Sequence, residues 1–156
     1  MARTKKVKEN VCPWTFRGEV FTQDMVGDNY GFVYMITCLT TGKKYIGKKF
    51  FTQKRKLKGA KRRSTSTSDW EHYWSSCAPL KLLVKERGEA NFKREILSIH
   101  QLMRDVNYCE IREMWRRDVL ETVDENGERV YFNENIQGKF FPGLYLGWKE
   151  RSQIAE

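Results

Sequence analysis

Residues 31–38 read GFVYMITC and residues 43–47 read KKYIG, and these two stretches decide the fold of this 156-residue chain. Both are rich in the β-branched and aromatic residues that favour strands. The turn signal Thr40-Thr41-Gly42-Lys43 between them predicts a β-hairpin. Such a hairpin would place Tyr34 and Tyr45 side by side on one face of a sheet. Two aromatic residues packed across a sheet would give the same pattern, so the hairpin alone does not define a function.

Basic residues are concentrated directly after this hairpin. Residues 48–68 contain nine lysines and arginines and no acid, while the net charge of the whole chain is +9. The segment ends in five hydroxyl residues, 64–68, which can also donate to phosphate oxygens. This pattern favours contact with a nucleic-acid backbone over an ordinary solvated loop. The nine cations are Lys48, Lys49, Lys54, Arg55, Lys56, Lys58, Lys61, Arg62 and Arg63.

The hairpin and the residues after it resemble the GIY-YIG nuclease family over residues 31–135. GFVY stands for the first motif of the family, and residues 45–47 match the second. The resemblance implies a DNA endonuclease, most similar to stand-alone phage-type members related to homing endonucleases. Residues 131–133 resemble the late aromatic-asparagine signature of the family. The catalytic residues that the resemblance implies are Tyr34, Tyr45, Arg55, Glu110 and Asn133.

In this resemblance Glu110 is the ligand of one divalent ion, Mg²⁺ or Mn²⁺. Magnesium suits a single carboxylate because it keeps most of its own waters. Arg55, eight residues after Gly47, would donate a planar fork of hydrogen bonds to the scissile phosphate. Asn133 would hold the tyrosines or the metal shell in place.

A tyrosine is expected to accept the proton of the attacking water. The family favours the first-motif residue, here Tyr34, with Tyr45 in support. A free phenol has a pKa of about 10, so the phenolate would need stabilisation by nearby cations. Lys48, Lys49 and Arg55 are close enough in sequence to be those cations.

Two departures from the family pattern bear on the base. The first motif has an additional residue between Gly31 and Tyr34. Many relatives have His or Tyr one helical turn beyond the arginine, where this chain has Gly59. His72 is the alternative base that the sequence offers.

Two helices and a third strand are predicted beyond the basic segment. One helix begins at Ala78-Pro79 and ends at Arg87-Gly88, and residues 91–99 alternate as a strand. The second helix runs from residue 105 to residue 121, with an inward apolar stripe of Tyr108, Ile111, Trp115 and Val119. Glu110 falls at the edge of that stripe and Glu113 opposite it, so Glu110 is preferred and Glu113 is the alternative.

The remaining segments have weaker patterns. Residues 12–30 predict a short preliminary hairpin, and residues 49–58 a short helix or turn. Gly59 and the Ser/Thr run predict a flexible loop. Asn126-Gly127 signals a hairpin turn before a β-rich end. The aromatic cluster at residues 70–74 is expected to pack on the core, and stacking on an unpaired base is the alternative.

These elements predict an α+β fold, a small antiparallel sheet of the hairpin and a third strand flanked by helices. We expect an extension at 1–30, the nuclease-like domain at 31–135 and a tail at 136–156 that packs on the same domain. The four cysteines are dispersed without a CxxC pair, which favours reduced, buried thiols over zinc ligands.

No apolar run approaches the ~20 residues that span a bilayer, and no signal peptide is visible. The chain is therefore expected in the cytoplasm, that of the host if a phage encodes it. The expected partner is DNA, without a membrane or a small-molecule cofactor, and a homodimer stays open. The alternative function is a catalytically inactive nucleic-acid-binding module of the same fold. A structural or interaction protein would leave the charge concentration unexplained.

Overall fold

A computed structural model describes residues 9–144 and 147–155. Its main sheet has five strands in the order β2-β1-β7-β3-β4, and β5 and β6 form a separate two-stranded sheet. The strands are β1 (Trp14–Phe16), β2 (Glu19–Val20), β3 (Gly31–Cys38), β4 (Lys44–Phe50), β5 (Thr52–Arg55), β6 (Ser64–Thr67) and β7 (Phe92–His100). The helices are α1 (Ala78–Arg87), α2 (Met103–Arg116) and α3 (Trp148–Arg151).

The predicted central hairpin is confirmed. β3 and β4 pair antiparallel from Gly31 opposite Phe50 to Thr37 opposite Lys44. The predicted third strand is β7, antiparallel to β3 on its other side. The α+β class is confirmed, but β1 runs parallel to β7, so the sheet is mixed and not purely antiparallel. The predicted first hairpin is β1–β2, and it belongs to this same sheet.

The first predicted helix is confirmed as α1. Pro79 lies in its first turn, where a missing N–H costs no helical hydrogen bond. Gly88 ends it with φ of +85°, a conformation that favours glycine. Leu80 and Val84 are buried on its inner face.

Both faces of the sheet are covered. Phe32, Tyr34 and Ile36 alternate onto one face and join an aromatic cluster with Trp14 and Trp70. The intervening residues point to the opposite face, which packs against α2. Trp70 is fully buried, so the predicted packing of the aromatic cluster is confirmed.

The basic segment differs from the prediction. Residues 52–55 form β5 instead of a helix or turn, and the Ser/Thr run forms β6 instead of a flexible loop. Almost all of these residues are exposed. A strand that is polar on both faces has no alternation of apolar and polar residues, so the sequence pattern did not predict these two strands.

The C-terminal region is less regular than expected. Asn126-Gly127 does reverse the chain, with φ of +76° at Gly127 and an antiparallel bridge between Val123 and Arg129. In the described residues after this turn, only isolated bridges and α3 occur instead of a β-rich end. Ile136, at the start of this region, is buried in the core cluster on the α2 side of the sheet, and Phe140 packs against that cluster.

Two further expectations concern cysteines and membranes. Cys12 and Cys38 are buried, as predicted, whereas Cys77 and Cys109 are partly exposed. Within residues 9–144 and 147–155, no helix has the length and apolar character needed to cross a bilayer.

Candidate active site

The two hairpin tyrosines lie together on one face of the sheet, as predicted. Tyr34 is opposite Gly47 and Tyr45 is opposite Ile36 in the β3–β4 register. Their ring centroids are 6.3 Å apart. The Tyr34 ring crosses directly over Gly47, because a Cβ added there would lie 2.5 Å from the Tyr34 hydroxyl. The glycine of the second motif therefore makes room for the phenol of the first.

Both phenols are harder to ionise than the sequence suggested. Burial raises the pKa of Tyr34 well above its ordinary value, and the nearby Tyr45, Tyr73 and Glu110 raise it further. Burial also raises the pKa of Tyr45 to about 12, although a hydrogen bond with Ser76 lowers it in part. The prediction that nearby cations would stabilise a phenolate was wrong, because burial dominates the pKa of both tyrosines. Both side chains are neutral phenols near pH 7.

The lysines that were expected to stabilise a phenolate have other partners. Lys49 Nζ lies 2.7 Å from Asp69 Oδ1 and 4.0 Å from the centre of the Tyr73 ring. Lys48 extends to the α2 side, where its Nζ donates to Asn107 Oδ1 at 2.7 Å. The two adjacent lysines thus point to opposite faces of β4, as strand alternation requires.

Glu110 lies on the inner face of α2, but the predicted stripe was wrong at two of its four residues. Val119 is buried and Ile111 packs against the core, as predicted. Tyr108 and Trp115 are 67% and 46% exposed, whereas Val106 and Met114 are the buried residues of the helix. Glu110 falls one turn from each of these two and so occupies the centre of the buried face, not its edge.

The Glu110 carboxylate is partly buried beside one cation. Its side chain is 16% exposed, and its Oε1 lies 3.9 Å from Lys48 Nζ. Burial raises the pKa of Glu110, and the Lys48 ammonium opposes that shift. Glu113 instead forms ion pairs with Arg117 at 3.0 Å and Arg116 at 3.5 Å. Of the two candidates, Glu113 has the shorter ion pairs, and Glu110 has the single longer one to Lys48.

Asn133 holds the edge of the sheet. Its Nδ2 donates to the Ile46 carbonyl at 2.8 Å, and its Oδ1 accepts from the Ile46 N–H at 3.0 Å. Asn133 is buried. Its two hydrogen bonds pair the backbone N–H and C=O of Ile46, which would otherwise lack partners on the edge strand. Because Ile46 follows Tyr45, the asparagine positions the strand that carries the second tyrosine.

Tyr45, Glu110 and Asn133 meet around one cavity of about 560 Å³ beside the edge strand β4. Five polar residues of the lining were missed by sequence reasoning: Ser76, Cys77, Glu134, Asn135 and Gln137. Ser76 and Cys77 directly precede α1, and Glu134 directly follows Asn133. Their positions next to a predicted helix and a predicted site residue were the only indication that the sequence offered. The full lining is Tyr45, Ile46, Ser76, Cys77, Ala78, Pro79, Glu110, Met114, Phe132, Asn133, Glu134, Asn135 and Gln137.

Other predicted residues lie outside this lining. Tyr34 is 1% exposed and buried beneath the site. Arg55 is exposed at the end of β5. A hydrogen bond from Lys49 is the main cause that lowers the pKa of Asp69, and the charge of Arg55 lowers it further. His72 is also exposed and does not line the cavity. The predicted DNA-binding cations other than Lys48 and Lys49 belong to the exposed segment of β5, β6 and their connecting turn: Lys54, Lys56, Lys58, Lys61, Arg62 and Arg63.

The cavity suits an ion that needs few protein ligands. Within the part of the chain that the structure describes, no three His, Cys, Asp or Glu residues converge closely enough to hold a metal. Glu110, with Glu134 as a second, exposed carboxylate, supplies hard oxygen ligands in a space large enough for waters. This donor set fits Mg²⁺ or Mn²⁺ and does not fit a structural zinc site.

The hairpin presents two paired tyrosines, and a carboxylate of α2 and an asparagine line the cavity beside its outer strand. Residues 14–136 match the family model described as the GIY-YIG domain of the endonuclease SegE. Since this match covers well over half of the chain, the protein belongs to the GIY-YIG family, whose domain is a nuclease of the endonuclease type. No curated protein and no solved structure matches the chain.

Proposed function

We propose that this protein is a DNA endonuclease that acts in the cytoplasm and hydrolyses phosphodiester bonds with one Mg²⁺ or Mn²⁺ held by Glu110. The observation that carries the proposal is the convergence of Tyr45, Glu110 and Asn133 on one cavity beside Tyr34. When bound, the ion would supply positive charge for the phosphate and the leaving oxygen. A module that only binds DNA has no need for a partly buried carboxylate in this cavity.

The tyrosines would handle the attacking water. Tyr45 lines the cavity while Tyr34 does not, so we assign the contact with water, and acceptance of its proton, to Tyr45. This reverses the order that the resemblance implied. Tyr34 would support it from below, where its ring packs against both Tyr45 and Tyr73.

Arg55 would bind phosphate from outside the cavity. Its guanidinium is exposed at the end of β5, and a bound DNA strand that crosses the cavity could extend to it. A planar fork donates two parallel hydrogen bonds to a phosphate, which a lysine cannot reproduce. Asn133 acts as a positioning residue through Ile46 and not through the substrate.

The first prediction separates the two glutamates. Glu110→Gln should lower nicking of supercoiled DNA at least about 100-fold in Mg²⁺ or Mn²⁺, because the amide cannot replace an anionic metal ligand. Glu113→Gln is the matched control on the same helix and should retain nicking, at a stability cost of about 1 kcal/mol because its ion pairs are removed. Agarose gels of the two plasmid forms measure both rates.

Two results would contradict the proposal. Full activity of Glu110→Gln with loss in Glu113→Gln would transfer the metal site to Glu113. If the wild-type protein binds DNA but cuts no supercoiled, linear or branched form with either metal, the inactive DNA-binding module is the better description.

A further inference from the structure

Residues Thr52–Thr67, the basic ribbon, have no core of their own. β5 and β6 pair antiparallel from Thr52 opposite Thr67 to Arg55 opposite Ser64. Every residue of the ribbon is exposed or partly exposed, and the one large apolar side chain, Leu57, is 64% exposed. An isolated two-stranded hairpin is marginally stable in water. Since the ribbon buries no side chain, hydrophobic packing does not account for its presence in the fold.

The ribbon carries concentrated and uncompensated charge. It contains seven cations and no acid: Lys54, Arg55, Lys56, Lys58, Lys61, Arg62 and Arg63. None of the seven lies within 4.0 Å of a carboxylate in the described residues, although Arg55 acts on Asp69 at longer range. Seven like charges on one small hairpin repel one another, and a polyanion would relieve that repulsion.

The base of the ribbon is fixed to the core beside the cavity strand. Phe51, just before β5, is buried. Ser68, just after β6, donates its N–H to the Phe51 carbonyl at 2.8 Å and its hydroxyl to the Phe50 carbonyl at 2.7 Å. β4, which carries Tyr45, ends at Phe50. The ribbon is therefore a direct extension of the candidate active-site strand.

We infer that the basic ribbon inserts into the major groove of duplex DNA, an inference that rests on the proposed function and names its substrate form. Two paired strands lie ~4.8 Å apart, and with side chains they fill a groove of about 12 Å, the width of the B-DNA major groove. The minor groove, at about 6 Å, is too narrow. Four residues per strand extend ~13 Å, more than the groove depth of about 8.5 Å.

This geometry distinguishes DNA from RNA. The major groove of A-form RNA is deep and narrow, and side chains cannot read it. Arginine and lysine bind guanine O6 and N7 in the B-DNA groove, and the ribbon turn presents five such residues: Lys56, Lys58, Lys61, Arg62 and Arg63. Charge alone would bind both duplexes, whereas groove insertion selects DNA.

A shortened ribbon tests the inference. Replacing residues 56–63 by Asn-Gly joins the paired residues Arg55 and Ser64 through a two-residue turn suited to a hairpin. A second variant keeps the full ribbon and changes its five turn cations to glutamine, so the test stands even if the shortened chain fails to fold. Fluorescence anisotropy without divalent metal measures Kd for one sequence as duplex DNA, as duplex RNA and as duplex DNA containing 7-deazaguanine.

Wild-type protein should bind the DNA duplex about tenfold tighter than the RNA duplex, and 7-deazaguanine, which lacks N7, should remove much of that preference. Both variants should bind all three duplexes with similar Kd. Equal loss on DNA and RNA, or no effect of 7-deazaguanine, would overturn groove insertion. Because the readout is binding, groove-dependent selection of DNA without any cleavage would refute the nuclease proposal and leave this inference standing.

Discussion

Gly47 is the residue on which the geometry of the two phenols depends. A Cβ at this position would lie 2.5 Å from the Tyr34 hydroxyl oxygen and 2.6 Å from its Cζ. Gly47→Ala should displace the ring, lowering the free energy of unfolding by about 1–3 kcal/mol and nicking by about 100-fold. Chemical denaturation and plasmid nicking measure the two effects.

Gly127→Ala is the control for that substitution. Its φ is +76° and its Cβ would meet nothing within 4 Å. It should cost about 1 kcal/mol of stability through backbone strain and leave nicking unchanged. Wild-type nicking in the Gly47→Ala protein would show that the position of Tyr34 does not matter to the reaction.

The pH profile tests the proton acceptor. The pKa of Tyr45 is raised to about 12, so the phenolate fraction grows about tenfold per pH unit between pH 7 and 10. If Tyr45 is the base, the nicking rate should rise with pH over that range. Tyr45→Phe should lower the rate and flatten the profile, while Tyr34→Phe should cost less.

His72 is the alternative proton acceptor that the pH profile would reveal. Its side chain is exposed and lies outside the cavity lining, so we expect no inflection near pH ~6.5, where an ordinary histidine titrates. An inflection there that His72→Ala abolishes would transfer the proton acceptor from the hairpin to His72.

Arg94 is a buried cation that has no carboxylate within 4.0 Å in the described residues, although Glu89 acts on it at longer range. Its guanidinium lies between the rings of Trp14 and Trp74, at 4.7 and 4.4 Å from their centres. Its nitrogens donate to backbone carbonyls, including those of Cys12 and Tyr73. The planar group thus connects β7 to the segments before β1 and before α1.

Arg94→Lys tests this arrangement. A lysine retains the charge but can neither stack as a plane nor supply five donors, so we expect a loss of about 3 kcal/mol in the free energy of unfolding. Lys93→Gln, its neighbour with a surface ion pair to Glu95, should cost less than about 1 kcal/mol. Urea denaturation measures both, and equal losses would contradict the structural role of Arg94.

At the scale of elements, the charge of the basic ribbon should set the salt dependence of DNA binding. Changing Lys56, Lys58, Lys61, Arg62 and Arg63 to glutamine together should weaken DNA binding. The slope of log K against log salt should fall by about 0.9 for each phosphate of duplex DNA that the protein no longer neutralises. Titrations at several salt concentrations measure it, and an unchanged slope would show that these residues do not touch the backbone.

Helix α2 shows what a pattern of hydrophobic residues can miss. Large aromatic residues suggested that Tyr108 and Trp115 face inward, yet both are exposed. The inner face uses Val106 and Met114, which pack against Val33 and Ile46 of the sheet. Trp115 instead meets Phe140 of the tail, 5.1 Å between ring centres. The choice of Glu110 over Glu113 stays a prediction, because the two side chains are similarly buried, 16% and 15% exposed.

At the scale of the whole molecule, the cavity is assembled from distant parts of the chain. Asn133 reaches Ile46 across 87 positions of sequence, and the segment before it runs along β4, where Lys44 N donates to the Val130 carbonyl at 2.9 Å. The edge strand is therefore covered by the C-terminal region over its first residues. Beyond them it continues into the ribbon, so one strand joins the proposed catalytic and DNA-binding regions.

The sequence by itself determined the hairpin, α1 and β7, because turn residues, Pro79, Gly88 and strong apolar patterns act over short distances. It also limited the candidate carboxylates to Glu110 and Glu113 and the candidate tyrosines to Tyr34 and Tyr45. Only the tertiary structure decided the parallel pairing of β1 with β7, the burial that raises the tyrosine pKa values, and the separation of Arg55 from the cavity. Each of these depends on which distant segments pack together, and burial and pKa are properties of that packing rather than of local sequence.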